Sequence, residues 1–218
     1  MALGDKRPVV MGADIGQSGG PAAFEHTHTA ADVGAAPAGY GLGTAAKLLD
    51  SLDDASADGF YYANKGGPSS GWWFGTCKIS SNHLSRVLTV YQIASNGVWY
   101  KAERQYYGDS GWSPWEWVNP PMALGVEYRT IERYLGKPVY VKAVNYGAMP
   151  NASRKNVAHG ITNLSACIDI YGSHNQWNFG VPEIDFLYAN ETNINMKTNS
   201  DCSAYTATVV MKYTKTTD

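Results

Sequence analysis

His26 and His28 place two imidazoles at i and i+2. In extended backbone both side chains point the same way, an arrangement from which neutral ring nitrogens can grip a transition metal. One chain supplies two such ligands, too few for a firm site, and the plainer alternative is a pair of exposed polar residues leading into a helix. A second chemistry is written in Tyr171-Gly-Ser-His174-Asn175-Gln176-Trp177. Sugar rings present apolar faces ringed by hydroxyls, so aromatic side chains stack on them while amides and imidazoles bond the hydroxyls. Tyr171, His174, Asn175, Gln176 and Trp177 are therefore the candidate saccharide contact. The alternative is a structural loop whose Trp177 folds back on the core. Trp112, Trp115 and Trp117 offer further rings, but the order WSPWEW sets Trp115 and Trp117 on one strand face, which favours core packing.

Several motifs imitate catalytic ones without the partners that the chemistry needs. Gly108-Asp-Ser-Gly111 has the look of a serine nucleophile, yet no His-containing partner motif accompanies it, and Gly, Asp and Ser suit a hairpin turn. Gly16-Gln-Ser18-Gly-Gly20 has nucleophile-elbow spacing but runs into Pro21 instead of a helix. Paired carboxylates for glycan cleavage are present by type alone in Asp53-Asp54, Glu183 and Asp185. The first pair reads as a helix end, the second as a solvated strand face. His159 reads as a hydrogen-bonded packing residue. No catalytic residue is assigned, and the chain is expected not to be an enzyme.

The elements that would position these residues follow from composition and punctuation. With 44% hydrophobic and 17% charged residues, the 218-residue chain can bury a core and is neither a charged coiled coil nor a disordered tail. A formal net charge of −2 leaves no electrostatic footprint for nucleic acid. No apolar run is long enough to span a bilayer, and Met1–Arg7 lacks the apolar stretch of a signal peptide. Cys77, Cys167 and Cys202 are odd in number, which argues for free buried thiols made in a reducing cytosol.

Residues 1–45 are rich in Gly, Ala, Pro and Ser and cannot bury much surface alone. A short helix is expected after the histidines, near Thr29–Asp32, and a second over Thr44–Leu52 with Thr44 as N-cap. From Asp58 aromatic and β-branched runs alternate with turns, and six of the seven tryptophans fall before residue 119. Asn96-Gly97 between two such runs is a strong hairpin signal. Asn119-Pro120-Pro121 reads as a stiff linker. Beyond it, further strand-like runs end in an alternating AYTATVVMKYT. The expected fold is mainly β, in three parts. Residues 1–52 form a Gly/Ala-rich stem with short helices, 53–122 a small antiparallel knob, and 123–218 a jelly-roll-like β-sandwich.

Three stretches resemble one family. HTHTAADVGAAPAGYGLG (His26–Gly43) is similar to a linker of phage tail fibres. DGFYYA and YYGDSGWSPWEWVNP resemble the knob modules of phage and pyocin fibres. GKPVYVKAVNYGAMPN, KNVAHGI and the terminal MKYTKTTD, in that order, resemble a C-terminal module of tail proteins from phages of Gram-positive bacteria. Together they cover roughly residues 24–218.

The resemblance implies a homotrimeric, non-catalytic receptor-binding protein of the virion, made in the host cytoplasm. Its implied partners are upstream tail or baseplate proteins and a bacterial cell-surface saccharide, with no nucleic acid and no membrane insertion. Three chains would bring six imidazoles from His26 and His28 to a shared axis, an octahedral set suited to iron or another transition metal, in the manner of the family's HxH sites. A capsule or wall depolymerase and the fibre of a contractile bacteriocin are the alternatives.

Overall fold

The computed structural model describes residues 46–217 apart from 82–83, 94–96 and 176–183. These residues are mainly β. The chain enters through β1 (Lys47–Leu48) and a capped 3-10 turn (Leu52–Asp54). Four strands follow: β2 (Gly59–Ala63), β3 (Trp73–Ile79), β4 (Ser85–Ile93) and β5 (Trp99–Tyr107). After another 3-10 turn (Gly108–Ser110) come β6 (Glu116–Trp117), β7 (Glu127–Tyr134), β8 (Lys137–Ala148), β9 (Arg154–Ala158) and β10 (Leu164–His174). The last elements are β11 (Ile184–Ala189), β12 (Asn193–Thr198) and β13 (Thr206–Lys215). Ten strands form one sheet in the order β1-β2-β3-β4-β5-β6-β7-β8-β13-β10, and β11-β12-β9 form a second.

The helix expected over Thr44–Leu52 does not form in the described part of that span. Lys47 and Leu48 instead pair in parallel with Tyr61 and Tyr62, and the Leu49 N–H donates to the Tyr62 carbonyl at 3.0 Å. Two turns of helix nucleate poorly alone, and this stretch gains more by burying Leu49 and Leu52 under the neighbouring strands. Helicity begins only at Leu52. There the Ser51 Oγ accepts from the Asp53 N–H at 3.2 Å, and the Asp54 carboxylate accepts from the Ser51 N–H at 3.1 Å. The helix expected near Thr29–Asp32 lies outside the described residues.

The strands form where side chains alternate. β4 and β5 pair over nine positions, from Ser85↔Tyr107 to Ile93↔Trp99, as the hairpin signal predicts, although Asn96 itself lies outside the described residues. Gly75 faces Val90 in the adjacent β3–β4 ladder, where a Cβ would sit 1.9 Å from the Thr89 carbonyl oxygen, so only glycine permits that approach.

The long sheet is covered on opposite faces in its two halves. One face carries Tyr61, Trp73, Leu88, Val90, Ala102 and Trp117, and the ladder continues it into Tyr128 and Val141. In the first half that face is closed by coil, through Leu49, Leu52, Ala55, Trp112, Trp115 and Met122. In the second half the other face is closed. Tyr140, Val144, Tyr146, Val209, Met211 and Tyr213 meet Ile194 and Met196 of the three-stranded sheet in a second core.

The two halves join at Trp117↔Thr130, a parallel contact, and the first core runs on past the diproline to Tyr128 and Val141. Asn119 is tied to β5: its side-chain carbonyl accepts from the Lys101 N–H at 2.6 Å and its amide donates to the Trp99 carbonyl. Cys77 and Cys202 are buried free thiols as expected, whereas Cys167 is exposed, because it falls on the outward face of β10.

Candidate functional site

Tyr171 projects from the outward face of β10, 47% exposed. It lies beside Val210 of β13, and Lys212 is two residues further along the same face. The diproline segment descends over this face because Asn119 anchors one end. The Gly125 N–H, donating to the Ala143 carbonyl at 2.7 Å, anchors the other. Between segment and sheet lies a cleft of about 310 Å³. Its floor is Trp117 and Val141, both buried; Val118, Pro120, Met122 and Ile131 add apolar wall. Its polar side is a single pair: the Lys212 Nζ reaches the Glu132 carboxylate at 2.8 and 3.1 Å. That hydrogen bond holds the Lys212 ammonium above the usual lysine range, with burial opposing. Thr130 also lines the cleft, but its hydroxyl already donates to the Val139 carbonyl at 2.8 Å.

The arrangement suits a pyranose ring. Tyr171 supplies a face to stack on, the apolar wall accepts C–H surface, and the charged pair offers both a donor and an acceptor to hydroxyls.

The residues chosen from sequence do not all meet here. Tyr171 and His174 are three apart on one strand and point to opposite sides. His174 is buried on the inner face, its ring 4.8 Å from that of Tyr205. Asn175 closes the end of the β10–β13 ladder, its N–H donating to the Thr206 carbonyl at 3.0 Å and its side-chain carbonyl accepting from the Thr206 N–H at 3.3 Å. Gln176 and Trp177 lie outside the described residues, as do His26 and His28. Among the described residues no group of three or more His, Cys, Asp or Glu is placed to hold a metal. Sequence reasoning missed Lys212, Glu132 and Met122. Each is far from Tyr171 in the chain, and the one signal that could have pointed to them was the diproline, which had to lie over something.

The tryptophans of WSPWEW are structural. Trp112 and Trp115 hold the Arg104 guanidinium between their rings, 4.3 Å from each centroid. Their indole N–H groups donate to the backbone carbonyls of Asp53 and Gly66, both at 3.0 Å. Burial lowers the Arg104 pKa, and the Asp53 carboxylate, 2.5 Å away, opposes this. Trp117 packs edge-on against Trp73, Tyr100 and Tyr128. The carboxylates considered for glycan cleavage are likewise engaged: Asp53 with Arg104, Asp54 in the cap, and Asp185 with Lys197 at 2.7 Å. Glu183 lies outside the described residues. Gly108–Ser110 form the 3-10 turn after β5.

No family model matches the chain, and no curated protein matches it. Among solved structures it is similar to an N-truncated R2-type pyocin tail fibre, over 76% of this chain and 94% of that one. It is similar also to a C-terminal piece of the R2 pyocin fibre of P. aeruginosa, over 76% of this chain and 64% of that one. Both pairs share 10% sequence identity and superpose loosely, at a TM-score of 0.28. The structural neighbours of the chain are thus R2 pyocin tail fibres.

Proposed function

We propose that this chain is the adhesive end of a phage or bacteriocin tail fibre, a non-catalytic protein that attaches its particle to a saccharide on the bacterial surface. One observation carries the reading: a single cleft combines the exposed Tyr171 ring, an apolar wall and the Glu132–Lys212 pair. The ordered motifs between His26 and Asp218 support the kind of particle. In this reading residues 1–52 are a stem whose last residues join the knob core. Residues 53–122 are the knob and 123–218 a jelly-roll-like tip. Three chains assemble into a trimer stapled at His26 and His28 by iron or another six-coordinate transition metal, and upstream tail proteins hold the stem. Each cleft binds weakly, and repetition across the trimer and the particle supplies avidity.

The test is binding of the purified chain to host cells and to the polysaccharide extracted from them. Replacing Tyr171 by Ala removes the stacking face without opening a core, and affinity should fall roughly tenfold per site. Lys212→Ala should weaken binding less. Undiminished binding by both variants would remove the cleft from the account. Release of oligosaccharide from the polysaccharide would replace adhesion with cleavage.

A further inference from the structure

The half of the long sheet that the three-stranded sheet leaves open carries a row of rings. Tyr62, Phe74 and Tyr91 are consecutive partners across β2, β3 and β4, so they share one ladder row. Trp72 and Trp99 lie beside the row: Trp72 is 5.8 Å from Tyr62 between ring centroids, and Trp99, opposite Ile93, meets Phe74 at 6.1 Å and Tyr91 at 6.5 Å, edge-on to both. Trp72 is 56% and Trp99 53% exposed, although indoles rank among the side chains that gain most from burial. Rings set one per strand step at about 4.8 Å across the sheet. Tyr62 to Tyr91 therefore spans about 10 Å, and the two indoles widen the patch beside it.

The row on the other side, within the same face, begins with Phe60 and is polar beyond it. Thr76, Thr89 and Glu103 are consecutive partners, the Thr89 hydroxyl donates to Glu103 at 3.3 Å, and Lys101 pairs with Glu103 at 2.8 Å while lying 5.8 Å above the Tyr91 ring.

This composition selects the occupant. The centre of a protein–protein interface is depleted of Lys and Glu, and a second copy seated here would have to strip water from the Lys101–Glu103 pair. A glycan strand needs both features at once: flat rings to stack on, and fixed donors and acceptors beside them for its hydroxyls. A long row with an open face also fits an extended chain better than a single sugar.

We infer that the outer face of the knob sheet is a second carbohydrate site, a platform on which the exposed Trp72 and Trp99 stack the rings of an extended pyranose chain over an apolar floor of Phe74 and Tyr91, while Thr89, Lys101 and Glu103 bond its hydroxyls. The adhesin reading enters only in the choice of probe, and the site is independent of the Tyr171 cleft.

The probe is chitohexaose, titrated calorimetrically into the full chain. The wild-type chain should bind it, and Trp72→Ala and Trp99→Ala should each weaken binding roughly tenfold. Because both indoles are largely exposed, an unaltered melting temperature serves as the folding control. Absence of binding by the wild-type chain overturns the platform, as does undiminished binding by both tryptophan variants. A drop in particle mass in the tryptophan variants, with glycan binding preserved, would assign the face to a second copy instead. Host-cell binding that still depends on Tyr171 would leave the adhesin reading standing if the platform falls.

Discussion

At the scale of single residues, His159 shows how a side chain that looks reactive in sequence is committed to the fold. It is buried, its Nδ1 accepts from the Ile161 N–H at 3.0 Å, and its Nε2 lies 3.1 Å from the Asn190 carbonyl. The first contact requires an unprotonated Nδ1, so the ring is neutral with its proton on Nε2. Burial lowers its pKa, the Asn190 hydrogen bond opposes this, and Lys142 adds to the lowering. The unfolded ring therefore takes up a proton first, near pH 6.5. Stability from this site is complete above that pH and is lost as pH falls from about 6.5 towards the depressed folded value. Melting curves between pH 7.5 and 5 on the wild-type chain and on His159→Gln should converge towards the acid end, about the ~6.5 reference. Parallel curves would show that His159 does not titrate this way.

Its packing role was legible in sequence, because a lone imidazole among strand-forming residues has few other uses. The residues of the candidate cleft were legible only in part. Tyr171 could be picked out by type, but strand alternation sends His174 to the other face, and no spacing rule leads from Tyr171 to Lys212 and Glu132.

At the scale of elements, the two-residue turn between β7 and β8 sets Leu135 at φ 49° and Gly136 at φ 79°, flanked by the pair Tyr134↔Lys137. Two successive positive φ values define the turn whose twist suits a hairpin, and Asn-Gly is its preferred sequence. Leu135 is 88% exposed and gains nothing from packing to offset a left-handed backbone. Leu135→Asn should therefore stabilise the chain by about 1 kcal/mol and raise the melting temperature by roughly 2–4 °C, measured by thermal unfolding. An unchanged or lower value would mean that the leucine makes contacts in solution that outweigh its strain.

Strands were the readable elements, since alternating runs such as Ala204–Tyr213 carry their own period. Thr44–Leu52 misled because its apolar spacing suits a helix as well as a segment laid across strands, and Tyr61 and Tyr62, far along the chain, decided the matter. The exchange of covered faces at Trp117↔Thr130 leaves no trace in a period-2 pattern, because both halves alternate alike.

At the scale of the whole molecule, the proposed trimer and the proposed metal staple rest on His26 and His28, outside the described residues. Sedimentation of the wild-type chain should give three times the 23.6 kDa subunit mass, with bound transition metal in the same sample. Replacing both histidines by Ala should remove the metal and lower the melting temperature of the assembly, because ligand binding to the assembled state is assembly energy. Metal content unchanged by the double substitution would end the stapling idea.

The sheet that passes through Trp117 and Thr130 has a practical meaning for anyone who would graft part of this chain onto another protein. The diproline looks like a natural splice point, yet a graft beginning at residue 123 would carry Tyr128, Val141 and Val210 away from the aromatic rings that shelter them, and would split the cleft, parting Tyr171 and Lys212 from Pro120 and Met122. A chimera that keeps both cores whole has to take its donor segment from Lys47 onward, so the two cores move as one unit.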